Sequence, residues 1–334
     1  MKWLIALMAD LLRASVLLAA FGSLALGLLA FAGAVSPGLA LFANLAPVGI
    51  FAALLAGLLW LALPSPRRPS GAGPLALIAL LVWMALITPD LIGRLTARTV
   101  SPQGETFKVV QLNLWEQDWT HNEVKYAWIR KQNPDAVMLE ETGLNAAGLM
   151  TKLSRDYPYS YSCVVPASAC SVLLMSKRKA LAVGGSGEGY RAADMVWARF
   201  RGESGDYVLA VAHATWPMPD GRQSVELAQI AKTLSGLKTD TILAGDFNAT
   251  PWSFPLRGFD KSSGLVRRTH AMPTFPAGQV TSQRLPTPAA VLPIDHVYSS
   301  PAWSPVSVRR GPNLGSDHLP LVATFARAKR PGQK

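Results

Sequence analysis

The sequence predicts a helical, membrane-embedded N-terminal region followed by an α+β domain, and three observations lead there. Half of the 334 residues are apolar and only 16% are charged, which excludes an intrinsically disordered chain. The apolar excess sits at the front: no side chain is charged between residues 14 and 66, nor between 69 and 89. Beyond about residue 104, short β-branched and apolar runs alternate with stretches of helical periodicity, the pattern of a domain that mixes strands and helices.

A helix needs about 20 apolar residues to cross a ~30 Å hydrocarbon core, so the first uncharged stretch accommodates two crossings and the second one. The expected spans are 14–35, 38–63 and 74–92 within an anchor covering 1–98, with the first break at Ser36-Pro37-Gly38. A cleaved signal peptide is the alternative for the first span, but the stretch is too long for that and further apolar runs follow. The third span, ending at Thr88-Pro89-Asp90, is the weakest; as a re-entrant segment it would move the following domain to the other side. Lys2 and Arg13 precede the first span, Arg67 and Arg68 follow the second, and the turn at Ser36-Pro37-Gly38 carries no charge. The positive-inside bias then puts the N-terminus in the cytoplasm and the large domain outside it, with Arg94 and Arg98 pulling the other way. A transporter is disfavoured, because the uncharged stretches offer no ionisable groups for a pathway.

Net charge is +11, of which +7 falls after residue 100. Four of those charges are Arg327, Lys329, Arg330 and Lys334, read as a solvated basic end with a tail over 328–334. The remainder shows no Lys/Arg stripe of the kind that tracks a duplex backbone. Cys163 and Cys170 are seven positions apart: in an oxidising compartment they close a short loop, and in the cytoplasm they read as two buried thiols. No second cysteine pair exists to build a thiolate zinc site.

The first strand is read at 108–115. Thr120-His121-Asn122-Glu123 has the form of a capping box opening a helix that Asn133-Pro134 stops. A second buried strand covers 135–141, and further strands are expected at 171–176, 195–201 and 207–212. A helix over 224–234 places Leu227, Ile230, Ala231 and Leu234 on one face, with Gly236 after it. Thr241-Ile242-Leu243-Ala244 then runs into Gly245-Asp246-Phe247-Asn248, and two last strands fall at 294–299 and 319–325. No internal repeat is evident.

Polar residues recur at the ends of these strands: Asn113, Glu141, His213, Asp246, Asn248, Asp295, Asp317 and His318. A strand buried on both faces cannot carry such groups mid-length without a large desolvation cost, so they gather at one rim. Several carboxylates sharing a rim repel one another unless a cation lies between them, and hard oxygen donors suit Mg²⁺ or Mn²⁺ better than zinc.

Gln111-Leu112-Asn113-Leu114-Trp115, Leu139-Glu140-Glu141-Thr142, Gly245-Asp246-Phe247-Asn248, Ile294-Asp295-His296-Val297 and Gly315-Ser316-Asp317-His318-Leu319-Pro320 occur in that order. Over about residues 105–326 this resembles the endonuclease/exonuclease/phosphatase superfamily, and most closely its bacterial membrane-tethered members. The resemblance implies a four-layer α/β/β/α sandwich of two packed mixed sheets over 104–327 and a metal-dependent hydrolase of phosphoester bonds. It implies that Asn113, Glu141 and Asp317 hold Mg²⁺ (or Mn²⁺), and that His213, Asp246, Asn248, Asp295 and His318 are catalytic. Glu141 is favoured over Glu140, where many members have Gln. One departure matters: some nucleases of the family place an Asp where this chain has Trp115, which distances it from the abasic-site branch.

Bland readings stand beside these: Asn113 satisfying backbone groups, His213 as a core or surface histidine, Asp317 and His318 as loop residues before Pro320. His121 and His270 read as solvent-facing, and His296 matches no catalytic position. Trp216, Trp252 and Trp303 lie near the motifs, where packing, base stacking and contact with a lipid surface all fit. The expected partners are a phosphodiester substrate, nucleic acid or phospholipid head group, and the bilayer itself. The expected location is the bacterial inner membrane with the catalytic domain on the extracytoplasmic side. A catalytically silent phosphate-binding protein on the same fold is the competing reading, but a binding site has no need of a water-activating pair.

Overall fold

The computed structural model describes residues 2–102, 104–163, 170–186, 193–278 and 289–327. It opens with three helices, α1 (Lys2–Ala32), α2 (Ala46–Ala62) and α3 (Ala72–Thr96). A 3-10 segment, Pro37–Leu45, joins the first two, and with it all three are long and apolar enough to cross a membrane. Small residues meet inside the bundle, among them Ala20, Ala53, Ala56, Ala76 and Ala79, while Leu18, Phe21, Phe51 and Leu58 point outward. This suits a lipid solvent, in which close backbone approach rather than a hydrophobic effect holds helices together. Trp83 is the largest buried side chain there among the described residues, its indole N–H donating to Ser23 Oγ at 3.1 Å.

The remaining chain forms two six-stranded mixed sheets. One contains β1 (Glu105–Asn113), β2 (Ala136–Glu140), β3 (Tyr159–Ser162), β4 (Leu173–Ser176), β11 (Trp303–Arg310) and β12 (Leu321–Arg327), in the order β11-β12-β1-β2-β4-β3. The other contains β5 (Ala182–Gly185), β6 (Asp194–Phe200), β7 (Tyr207–His213), β8 (Asp240–Asp246), β9 (Val266–Arg267) and β10 (Asp295–Ser299), in the order β5-β6-β7-β8-β10-β9. Phe107, Val109, Met138, Leu209, Val211, Ile242, Val297 and Phe325 fill the space between the sheets. Helices α4 (Asn122–Gln132) and α5 (Ala147–Asp156) cover the outer face of the first sheet, packing Ile129, Leu149 and Leu153 on Val110, Leu112 and Val137. Helices α6 (Arg222–Leu237) and α7 (Phe254–Ser262) cover the second sheet through Leu227, Ile230, Leu256 and Phe259. The expected four-layer sandwich is therefore what the chain forms.

Several local readings change. Helix α4 starts at Asn122 with no side-chain cap bond, because Thr120 Oγ1 is turned to Asp118. Helices α5 and α7 and strands β3, β5, β9 and β11 are additions; Pro305 hides β11, which is tolerated because that strand lies at a sheet edge and bulges between Pro305 and Ser307. Arg327 is not a solvated tail residue: it ends β12, is 1% exposed, and donates to Asp240 Oδ2 at 2.6 Å. The basic tail expected over 328–334 lies outside the described residues. Cys163 and Cys170 are joined by a disulfide.

Candidate active site

Strand alternation builds the site. In β1, Phe107 and Val109 face the other sheet, so Gln111 and Asn113 continue the same inward row. Glu140 follows Met138 in β2, His213 follows Val211 in β7, Asp246 follows Ala244 in β8, and Asp295 precedes Val297 in β10. Each inward row thus turns from apolar to polar at the same end of the sandwich. The β7–β8 contact there is so close that any side chain at Gly245 would collide with the Ala212 carbonyl.

The groups meet between the sheets. Asn113 Nδ2 donates to Glu141 Oε1 and to Asp246 Oδ2, both at 3.0 Å. His318 Nδ1 lies 2.8 Å from Asp295 Oδ2, and its Nε2 lies 3.6 Å from Asp246 Oδ2. His213 Nε2 is 3.8 Å from the same Asp246 oxygen and 3.4 Å from Asn248 Nδ2. The backbone N–H of Asn248 donates to Asp246 Oδ1 at 2.8 Å. The Ser316 hydroxyl donates to the Asn113 carbonyl and accepts from the His318 N–H, which ties the last motif to the first strand. All eight sequence-selected residues belong to this one region. Asp317 is placed by its neighbours, since Glu141, Asp246 and His318 are the charges it feels.

Glu140 and Glu141 divide differently from a simple alternation. Glu140 holds the inward strand position and is buried, accepting from Gln111 Nε2 at 2.9 Å, and that same nitrogen donates to Asp295 Oδ1 at 2.8 Å. Glu141 lies just past the strand with φ of 53°, a left-handed backbone that costs a non-glycine residue on the order of 1–3 kcal/mol and turns its carboxylate back toward Asn113.

Sequence reasoning missed four contributors. Gln111 and Glu140 form the layer beneath Asp295. Ser171 accepts from His213 Nδ1 at 2.8 Å and donates to Asp194 Oδ2 at 2.6 Å, so His213 is held from behind by a carboxylate. Neither Ser171 nor Asp194 sits in a recognisable motif; their only signal is that each flanks a strand ending at the same rim. Among residues read as unattached, His296 is buried, with Nε2–H on the Ala249 carbonyl. His270 is not solvent-facing but bonds Asp90 of α3 at 3.1 Å. Trp303 is a core residue, and Trp252 donates to the Ala43 carbonyl in the 3-10 segment at 2.7 Å.

Burial and crowding of like charge shape the acids. Asp246 is pushed up to about 6 by burial with help from Asp295, against the pull of His318 and His213. Asp317 is pushed up to about 7, by burial and then by Glu141 and Asp246. Burial also opposes the Asp295 carboxylate, but the charge and hydrogen bond of His318 outweigh it and hold Asp295 low. His318 rises to about 10 despite burial, because Asp295 and Asp246 surround it.

A divalent cation fits this donor set. Asp246, Asp295 and His318 bring one candidate atom each within 4.8 Å of one another. Both Asp295 oxygens and His318 Nδ1 are already engaged with each other and with Gln111, which makes that trio poor at ligation. The Asp317 Oδ1 atom is buried without a partner, beside the carboxylate of Glu141. An orphaned hard oxygen in a field of repelling carboxylates is what a cation relieves.

Fold and rim together define a two-sheet phosphoesterase-type protein. The model of the endonuclease/exonuclease/phosphatase family matches residues 126–318, more than half of the chain, and the protein belongs to that family, one of phosphoester-hydrolysing enzymes. No curated protein matches the chain significantly. Among solved structures, the human Nocturnin catalytic domain with bound sulfate anion aligns at TM-score 0.52 and 18% identity, over 68% of this chain and 97% of that one. TDP2 of D. rerio, complexed with single strand DNA product, aligns at 0.54 and 14%, over 66% and 99%. Sphingomyelinase C from Streptomyces griseocarneus aligns at 0.52 and 16%, over 67% and 100%. At such identities the likeness speaks for the fold.

Proposed function

We propose that the protein is a membrane-anchored, divalent-metal-dependent phosphodiesterase with its catalytic domain on the extracytoplasmic side. The observation that carries the activity is the His318–Asp295 pair, buried at 2.8 Å, facing Asp246 across 3.6 Å. His318 Nε2 takes a proton from the attacking water, and Asp295 stabilises the imidazolium that results. Asp246 and Asn248 orient that water and the phosphate. His213, backed by Ser171 and Asp194, donates to a phosphoryl oxygen. Glu141, Asp317 and Asn113 would hold the cation. Bound there, Mg²⁺ or Mn²⁺ supplies positive charge that neutralises phosphoryl and leaving oxygens and counters the acidic field holding the His318 proton.

The membrane and topology reading rests on three apolar helices, the positive charges of the turn after α2, and a disulfide suited to an oxidising compartment. The test is turnover of bis(4-nitrophenyl) phosphate by the full chain in detergent, with Mg²⁺ or with chelator, and with Asp246→Ala. Chelator-sensitive turnover that falls by orders of magnitude in the folded variant supports the reading. Turnover unchanged by either treatment would overturn it.

A further inference from the structure

The anchor is docked onto the active-site rim, not strung from it. The rim is made of the loops that follow β1, β2, β7 and β8, together with 271–278 and 311–320. The 3-10 segment between α1 and α2 packs on two of these loops. A side chain at Gly38 would collide with the Pro219 carbonyl, and one at Gly221 would meet the Pro37 ring at 3.3 Å. Trp252 donates to the Ala43 carbonyl at 2.7 Å, and Phe254 packs on Phe31 with ring centroids 6.2 Å apart. Helix α3 fixes the same face from the side: Arg257 donates to the Leu86 carbonyl at 2.6 Å, and Asp90 accepts from Arg267 at 2.6 Å and from the Ala271 N–H at 2.8 Å. The end of the bundle that meets the domain and the mouth of the site therefore lie on the same side.

Loop 214–221 spans the distance between them. It begins next to His213, and its Trp216 ring lies 5.5 Å from Phe275, whose ring lies 5.0 Å from that of His318. Three residues further, at Pro219, it reaches Gly38. Along this path Trp216 and Met218 are 44% and 55% exposed, and Val35, in the turn between α1 and the 3-10 segment, is 87% exposed. Among the described residues of the rim loops, none is Lys or Arg. A polynucleotide, with a charge on every phosphate, requires basic groups along its path. A single phosphate on an apolar body requires the reverse: one charge-binding centre and an apolar approach.

The geometry points to the phosphodiester head group of a bilayer lipid as the substrate, presented from the membrane surface across Val35, Met218 and Trp216 to the site. This rests on the hydrolase reading above. In the step, water oxygen bonds to phosphorus, one ester P–O bond breaks, and the proton lost by water is returned to the leaving oxygen. The products are a free alcohol and a phosphomonoester, one of them retained in the membrane.

The test reconstitutes the full chain into vesicles of equal parts phosphatidylcholine, phosphatidylethanolamine, phosphatidylglycerol and sphingomyelin with Mg²⁺, and follows lipid products by mass spectrometry. Bis(4-nitrophenyl) phosphate and a single-stranded oligonucleotide are assayed on the same vesicles. Lipid cleavage, with a lipid-to-chromogenic rate ratio at least tenfold lower in Met218→Asp of unchanged melting temperature, is expected. Chromogenic or oligonucleotide turnover without lipid cleavage, or an unchanged ratio in Met218→Asp, would overturn the lipid assignment and leave the hydrolase reading standing. Silence on all three substrates would overturn both.

Discussion

Asp295 Oδ2 stands 2.8 Å from His318 Nδ1, with both groups closed off from water. The carboxylate fixes the imidazole tautomer with its proton on Nδ1, so that Nε2 faces Asp246 and the open end of the site. Asp295→Asn keeps the shape but removes the charge that stabilises the imidazolium. Turnover of bis(4-nitrophenyl) phosphate should fall by about 10²–10⁴. Steady-state kinetics at saturating Mg²⁺ measure this, with circular dichroism to confirm the fold; a loss of less than threefold would remove Asp295 from the mechanism.

Glu140 lies under the same pair and is pushed well above its ordinary value, by burial and then by Asp295. Its folded form holds a proton that the unfolded chain releases above about pH 4.3, so wild-type stability declines as pH rises past that point. Glu140→Gln keeps the shape and removes the titration. The variant should match wild type at pH 4 and melt at a higher temperature at pH 8. Melting curves across that range decide it, and equal differences at both ends would contradict a protonated Glu140.

Glu140 and its motif neighbour Glu141 show where the sequence was legible. The motifs pointed to Asn113, Glu141, His213, Asp246, Asn248, Asp295, Asp317 and His318, because polar groups at the ends of apolar strands have one economical place to go. What escaped was set by partners distant in sequence. Gln111 is 184 positions from Asp295, and only the stacking of the two sheets makes its amide a bridge. Arg327 looked like part of a basic tail because its partner, Asp240, is 87 positions away. Asp90 looked like the polar end of a span, and its bond to Arg267 crosses 177 positions. The four-layer fold was legible for a different reason: each inner strand carries its own period of two, and that information is local.

His296 is buried on the outer face of β10, between Thr269 and the Ala249 carbonyl, and burial holds its pKa down to about 3. The ring stays neutral in the fold while the unfolded chain gains a proton below about pH 6.5. Its contribution to stability is therefore complete above pH 6.5 and is lost as pH falls toward 3, by up to about 5 kcal/mol. The sense is opposite to that of Glu140, so each needs its own variant. In His296→Gln, whose amide can still donate to Ala249, the loss of urea stability between pH 6.5 and pH 4 should be visibly shallower than in wild type. Parallel curves would place the acid sensitivity elsewhere.

Asp317 supplies a test of the cation site that needs no turnover. Its buried Oδ1 has no partner, and its pKa stands at about 7 because burial, Glu141 and Asp246 all oppose ionisation. Without metal, a folded pKa above the unfolded one means that ionisation weakens the fold at neutral pH and above. Asp317→Asn should then raise the metal-free melting temperature at pH 8. With Mg²⁺ at 100 times its dissociation constant, binding adds about 2.7 kcal/mol to the wild type, a shift on the order of 5–10 °C for a domain of this size. The variant should lose most of that shift, so that its lead over wild type narrows by several degrees on adding metal. Differential scanning fluorimetry with and without chelator reads this directly. If Mg²⁺ shifts both proteins equally, the cation is held by other groups.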